Sequence, residues 1–291
     1  MTFEWLPVPN ETLAAARERN VRDALAEDIG HCDWTGLLVP AGRRVSARVC
    51  VREAAVLCGV EWFDACFRAL DRDVVIHWNF AEGDNLPADG VVVSLEGDAR
   101  ALLAAERPAL NFLQLLSGTA GRARSLAHLV QQALQPGQRC AVLDTRKTLP
   151  GLRQAQKYAV RVGGGANQRL ALWDGILIKE NHIAAAGGIR QALDAARALD
   201  SGVDIQIEVE SAAELEQALE AGAVSVLLDN FALGELRAAV TLNRGRAVLE
   251  VSGGVDESTI GAIAACGVDR ISVGSLTKDV RAVDYSMRID G

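Results

Sequence analysis

From residue 140 onward the chain is a string of short apolar runs separated by helix-like stretches, and this rhythm restricts the available folds more than any other feature. The runs are Cys140–Leu143, Gly175–Ile178, Ile205–Val209, Val224–Leu228, Ala247–Val251 and Ile271–Val273. Among the stretches between them, Arg190–Leu199, Ala212–Ala221, Leu233–Val240 and Ser258–Ala265 carry helical spacing. Strand, helix and strand in succession call for right-handed crossovers and a parallel sheet. Six or seven such units fall short of a closed eight-stranded barrel, so the expected α/β architecture over residues 116–275 is an incomplete, six- to seven-stranded parallel barrel.

The first 115 residues read as a separate mixed α and β domain, to which the tail 276–291 is free to return. An opening amphipathic helix ends through Val21–Ala26, and Glu61–Leu70 predicts another. Val45, Ala47, Val49 and Val51 alternate as one face of a strand, with further strands at Val74–Phe80 and Val91–Leu95. Ala101–Leu134 is helical in pattern, with breaks expected at Pro108 and at a Ser117-Gly118 turn.

A net charge of −8 argues against nucleic acid or an anionic membrane surface as partner, since both reward a basic protein. No apolar run approaches the roughly 18–20 residues of a membrane span. The start, Met-Thr-Phe-Glu-Trp-Leu-Pro, lacks the basic and apolar regions of a signal peptide. Six scattered cysteines without a Cys-x-x-Cys pair fit free thiols, and together these features predict a cytoplasmic protein.

The chemistry sits in the residues just after each apolar run. Asp144-Thr145-Arg146-Lys147 succeeds the first, Lys179-Glu180-Asn181-His182 the second, and Glu208 with Glu210 closes the third. Asp229-Asn230, Ser252-Gly253-Gly254 and Gly274-Ser275 come after the others. Parallel α/β folds keep their active groups at these carboxyl ends. Arg107, Arg146 and Arg169 offer planar forks that grip carboxylate bidentately, Lys179 adds an ammonium, and several such cations around one pocket suit a dicarboxylate. Glu208 and Asp229 end consecutive strands; they could hold a magnesium ion bound mainly by substrate phosphates, or pair with Lys147 or Lys179. Ser252-Gly253-Gly254, ahead of the predicted helix Ser258–Ala265, and Gly274-Ser275 allow backbone N–H groups to approach an anion closely. Gly163-Gly164-Gly165 reads instead as a turn or close helix packing. His182 is either an active-site donor or a residue that orients its loop, and no histidines are spaced as a metal cluster.

Taken together these segments resemble the quinolinate phosphoribosyltransferases. The likeness runs from Ala24-Leu25-Ala26-Glu27-Asp28-Ile29-Gly30 through Glu106-Arg107 and Leu110-Asn111-Phe112-Leu113-Gln114. It continues through the highly specific block Asp144–Arg153, then Lys157-Tyr158-Ala159-Val160, Leu177–Ile183, Glu208-Val209-Glu210 and Leu228-Asp229-Asn230. Glu250–Gly254 and Ile271–Gly274 complete it. The resemblance implies an N-terminal α/β sandwich followed by an open α/β barrel, in a homodimer or higher homo-oligomer with a shared active site. It implies that Arg107, from the neighbouring subunit, with Arg146, Arg169 and Lys179 holds quinolinate, and that Thr145, Lys147 and Gln168 line the same pocket. Lys147, Glu208 and Asp229 become the expected catalytic residues. Glu208 and Asp229 would face the ribose and its magnesium, while Ser252, Gly253, Gly254, Val273, Gly274, Ser275 and Lys278 would bind 5-phosphoribosyl-1-pyrophosphate.

One position departs from the family pattern, which commonly reads Asn-His-Arg where this chain has Asn167-Gln168-Arg169. Glutamine donates hydrogen bonds but carries no titrating proton, which removes acid–base chemistry from that position. The implied reaction is displacement at the anomeric carbon by the pyridine nitrogen, with Lys147 foremost in stabilising developing charge. The alkylated pyridinium then accepts the electrons left by the departing carboxylate, so no organic cofactor is expected. Two alternatives are a nicotinate phosphoribosyltransferase and a non-catalytic anion-binding relative of the kind associated with molybdenum uptake. The excess of cations over one carboxylate weighs against the first. Intact Thr145-Arg146-Lys147, Glu208 and Asp229 weigh against the second.

Overall fold

The computed structural model describes residues 10–290, which fall into two compact units. One comprises the chain to Ser117 with Pro150–Gln156 and the residues from Ala282; the other comprises Gly118–Leu149 and Lys157–Arg281.

The first unit opens with α1 (Leu13–Ile29), started by Thr12, whose hydroxyl accepts from Ala15 N at 3.2 Å. Strands β1 (Arg44–Val51) and β2 (Ala55–Val56) lead to α2 (Val60–Leu70), and then come β3 (Val75–Trp78), β4 (Asn85–Leu86) and β5 (Val91–Asp98). On β1 the alternation holds: Ala47, Val49 and Val51 are buried, whereas Ser46 and Arg48 face solvent. Trp62, Phe63 and Phe67 of α2 are the largest fully buried side chains of this unit's core.

The helix α3 (Ala99–Ala133) is continuous, contrary to the breaks expected at Pro108 and Ser117-Gly118. Pro108 removes one backbone hydrogen bond, but Leu102, Leu110, Leu113 and Leu116 are buried along the helix, and that burial outweighs the loss. Gly118 is not a turn residue: a Cβ there would stand 2.2 Å from the carbonyl oxygen of Arg281, so glycine permits a close backbone approach. Ser117 is buried, donates to Cys58 O at 3.3 Å and shares a 2.9 Å hydrogen bond with the Tyr285 hydroxyl.

In the second unit the strands are β6 (Ala141–Leu143), β7 (Ile176–Ile178), β8 (Ile205–Val209), β9 (Ser225–Asp229), β10 (Val248–Ser252) and β11 (Arg270–Ser272). All pair in parallel, in the order β6-β11-β10-β9-β8-β7, and each coincides with a predicted apolar run to within a residue or two. At the free edge of β6 one further parallel bridge joins Leu143 to Ala166, so the sheet extends without forming a seventh strand. This is the incomplete α/β barrel. Interleaved helices are α4 (Arg153–Val162, opening in the first unit), α5 (Glu180–Ala186), α6 (Ile189–Ala198), α7 (Ala212–Glu220), α8 (Leu233–Asn243), α9 (Ile260–Ala264) and α10 (Ser275–Lys278). Their apolar faces pack on the sheet, with Leu193, Leu215, Leu236 and Ile260 buried against Ile207, Val226, Leu249 and Ile271. Gly163 serves close packing, because a Cβ there would lie 2.3 Å from Ala120 O. The last strand, β12 (Tyr285–Ile289), pairs antiparallel with β1 and completes a four-stranded sheet of order β12-β1-β5-β3 in the first unit. No helix among the described residues is long and apolar enough to cross a membrane.

Candidate active site

The carboxyl end of β6 is fixed by a buried ion pair. Asp144 is fully buried, and its carboxylate accepts from Lys157 Nζ, Asn167 Nδ2 and, at 3.0 Å, Gln168 N. Lys157, equally buried, also donates to Gln168 O at 2.8 Å. Burial pushes the Asp144 carboxyl up, while the Lys157 ammonium and the other donors pull it back down. Such a pair is bound by geometry more than by net energy. Its effect is to lock the Asn167-Gln168-Arg169 segment beside the loop that carries Arg146.

Arg169 lies close enough to Arg146 to feel its charge. Burial, and after it the neighbouring Arg146 guanidinium, holds Arg169 below the usual arginine value. One Arg169 N–H is committed to Gly175 O at 2.9 Å. Like charges gathered in a half-buried niche make it attractive to an anion.

The loops after β6 and β11, neighbouring strands, meet at Lys147. Its backbone N–H donates to Thr145 Oγ1 at 3.1 Å, and Thr277 Oγ1 donates to its carbonyl at 2.7 Å. A Cβ on Gly274 would lie 3.2 Å from Lys147 Cδ and 3.8 Å from Thr145 Oγ1, so Thr145, Lys147 and Gly274 converge. Lys147 is exposed and makes no ion pair among the described residues. Ser275 Oγ is buried and has no hydrogen-bond partner there. Val273 is buried, and Lys278 is exposed, 3.5 Å from Asp279.

Of the two strand-end carboxylates, Glu208 is the one that pairs. Lys179 Nζ donates to both its oxygens, at 3.1 and 2.9 Å, across the adjacent strands β7 and β8. Asp229, two positions beyond the β9 residue that faces Glu208 in register, accepts from Asn230 Nδ2 at 2.8 Å and makes no ion pair among the described residues. Two hard oxygen donors on neighbouring strands fit a magnesium ion carried mainly by phosphate oxygens, and Lys179 must yield Glu208 for both to serve.

Gly253, with φ of 100°, has no room for a side chain: a Cβ would lie 2.1 Å from Asn230 Oδ1. Gly254 also adopts positive φ, at 60°. The helix expected at Ser258–Ala265 behind Ser252-Gly253-Gly254 is present as α9, but it begins two residues later, at Ile260, and is only five residues long. Any anion held there meets loop N–H groups without help from a helix dipole.

His182 and Arg107 complete the set of expected residues. Lys179-Glu180-Asn181-His182 is the start of α5, and His182 Nδ1 accepts from Lys179 N at 3.0 Å, which makes His182 a capping residue. Arg107 stands exposed on α3 in the first unit, 4.0 Å from Glu106, whose carboxyl burial raises against the pull of Arg107.

One set of buried polar groups was not expected from the sequence. Gln168 Nε2 donates to Gln206 Oε1 at 2.9 Å, and Gln206 Nε2 donates to Glu250 Oε2 at 2.9 Å and to Ser225 Oγ at 3.3 Å. Ser272 Oγ donates to the other oxygen of Glu250. The signal that could have found them is a glutamine inside Ile205–Val209 and a glutamate inside Ala247–Val251, polar residues in runs otherwise built for burial.

Comparison with known proteins decides the family. The model for the C-terminal domain of quinolinate phosphoribosyl transferase matches residues 122–288, and that for the N-terminal domain matches residues 33–117. The chain belongs to the quinolinate phosphoribosyltransferase family. It is 37% identical over 264 residues to a probable nicotinate-nucleotide pyrophosphorylase (carboxylating) of Bacillus subtilis, covering 90% of each chain. The enzyme of that name from Mycobacterium leprae is 38% identical, with 94% of this chain and 96% of the relative covered. Among solved structures, the nicotinate-nucleotide pyrophosphorylase of Francisella tularensis superposes with a TM-score of 0.90 at 44% identity, over 94% of this chain and 96% of that one. Family membership thus accounts for the strand-end motifs, and it extends over both units.

Proposed function

We propose that the chain transfers the phosphoribosyl group of 5-phosphoribosyl-1-pyrophosphate to quinolinate with loss of carbon dioxide, giving nicotinate mononucleotide and pyrophosphate in NAD biosynthesis. The observation that carries this reading is the nearness of Arg146 to Arg169, beside a Lys147 that makes no ion pair among the described residues, in a chain of this family. Two guanidinium groups match two carboxylates, and Thr145 and Gln168 complete the polar lining.

Each side chain has a task that its placement supports. Arg146 and Arg169 bind the substrate carboxylates and so orient the ring nitrogen toward the anomeric carbon. Lys179, drawn to quinolinate, releases Glu208 toward the ribose. Lys147 stands free to neutralise charge that develops as the leaving group departs, an interaction worth most in the transition state. Bound with the second substrate, magnesium would supply further neutralisation of pyrophosphate, with Glu208 and Asp229 as its protein-side partners. Ser252, Gly253 and Gly254, with Val273, Gly274, Ser275 and Lys278, receive the phosphates. Decarboxylation needs no organic cofactor, because the positive ring nitrogen stabilises the electron pair that the broken C–C bond leaves at C2, and a proton from solvent then takes the place of the departed carboxylate. Arg107 is assigned to the pocket of a neighbouring subunit in a homodimer or larger assembly, and the protein to the cytoplasm.

The test is product formation from purified protein with quinolinate, 5-phosphoribosyl-1-pyrophosphate and magnesium, with nicotinate in parallel. Nicotinate mononucleotide from quinolinate alone is expected. Product from nicotinate but not quinolinate would replace this reading by that of a nicotinate phosphoribosyltransferase. Anion binding without turnover would point to a non-catalytic relative.

A further inference from the structure

Gln168 is held at three points. Its N–H donates to Asp144 at 3.0 Å, its carbonyl accepts from Lys157 at 2.8 Å, and its side-chain amide is tied to Gln206 at 2.9 Å. Behind Gln206 the chain of hydrogen bonds runs inward to Glu250 and ends on Ser272, all three being buried within the sheet of the second unit.

The direction of this chain is set by its inner end. A carboxylate only accepts, so the Gln206 group facing Glu250 must be the NH₂. The oxygen of Gln206 then faces Gln168, and Gln168 must in turn offer its own NH₂. A flipped Gln168 amide would set oxygen against oxygen in a buried place, where an unmade hydrogen bond is expensive. The second N–H and the oxygen of Gln168 carry no hydrogen bond among the described residues, and Gln168 is half-buried next to Arg169.

We propose that Gln206 and Glu250 are positioning residues for quinolinate: the buried relay Ser272–Glu250–Gln206 fixes the orientation of the Gln168 amide and thereby the donor pattern beside Arg169. The inference rests on the quinolinate reading of the site. It also explains how glutamine serves where the family pattern commonly has histidine. A neutral histidine could make the same donation in one tautomer only, whereas here the relay selects the orientation of an amide that never titrates.

The experiment is a double-mutant cycle on the intact protein, reading KM for each substrate, kcat and melting temperature. Gln206→Met removes the relay at nearly constant volume and should raise the quinolinate KM roughly 3- to 10-fold, the worth of one buried hydrogen bond, with the phosphoribosyl pyrophosphate KM unchanged. On a Gln168→Ala background the same substitution should add nothing. The exchange Gln206→Glu with Glu250→Gln reverses the bond between positions 206 and 250 but keeps an acceptor facing the Gln168 amide and an acceptor facing Ser272, so it should restore KM to within about twofold, which a merely structural role does not require. An unchanged quinolinate KM in Gln206→Met, additive effects in the cycle, or an exchange as poor as the single variant would overturn the relay. Should Gln206→Met fail to fold, the exchange compared with Glu250→Gln alone decides the matter by the same criterion. Wild-type protein that does not turn over quinolinate would sink the functional reading itself, and this inference with it.

Discussion

Lys157→Met tests whether the ion pair behind the site has the consequence its burial demands. Both partners are within 1% of complete burial, so the variant leaves the Asp144 carboxylate without a cation in the interior of the second unit. Removing one partner of a buried pair typically costs about 3–5 kcal/mol. Asn167 Nδ2 and Gln168 N still donate to Asp144, which places the expected loss at the lower end, about 3 kcal/mol. For a domain of this size that corresponds to a fall in Tm of about 6–12 °C. Circular dichroism melts at pH 7.5 read it directly. Lys157→Met with Asp144→Asn removes the stranded charge and should recover at least half of the loss. A single variant within about 2 °C of the parent, or a double variant no better than the single, would refute the argument that desolvation dominates at this pair.

The same geometry sets other expectations. Lys147→Ala should lower kcat about 10²–10³-fold with a small change in quinolinate KM, since its ammonium is assigned to the transition state; steady-state kinetics with equal losses in binding would contradict that. Arg146→Ala should weaken quinolinate binding about 10- to 100-fold by calorimetry, the cost of a charge-assisted contact. Gly253→Ala meets both a φ of 100° and the Asn230 side chain, and should raise the phosphoribosyl pyrophosphate KM about tenfold while leaving quinolinate binding nearly intact. Burial pushes the Cys66 and Cys140 thiols up to about 12, so in native protein at pH 8 a thiol reagent should react promptly with the half-exposed Cys32 and Cys50 and not with these two. Because the native state keeps these protons when the unfolded state has lost them, their contribution to stability is full below about pH 9. Denaturant titrations should show it falling between about pH 9 and 12, by about 1.4 kcal/mol per pH unit for each thiol.

The parallel strands were legible because they are buried on both faces and end abruptly in polar residues, as Ile205–Val209 before Glu210 and Val224–Leu228 before Asp229 illustrate. Alternation on β1 was legible for the opposite reason, one face being solvated. The long helix α3 was misread because local punctuation at Pro108 and Gly118 is overruled by burial of the leucines along it and by the close passage of Arg281. Short helices such as α5 leave no periodic signature, and the capping role of His182 depends on a ring nitrogen reaching back three residues. At the site, residue types at strand ends announced the cations and carboxylates. Their partners were legible only in part: Lys179 was one of the pairings open to Glu208, whereas Asp144 taking Lys157 of α4, and Gln206 linking Gln168 to Glu250, depend on contacts that no local pattern marks.

The most direct test of the central claim is a label balance. Quinolinate carrying isotopic carbon in its 2-carboxyl group, incubated with 5-phosphoribosyl-1-pyrophosphate, magnesium and the protein, should release one labelled carbon dioxide for each nicotinate mononucleotide formed. The nucleotide itself should carry no label. Nucleotide that retains the label, or carbon dioxide without nucleotide, would contradict a decarboxylating phosphoribosyl transfer at this site.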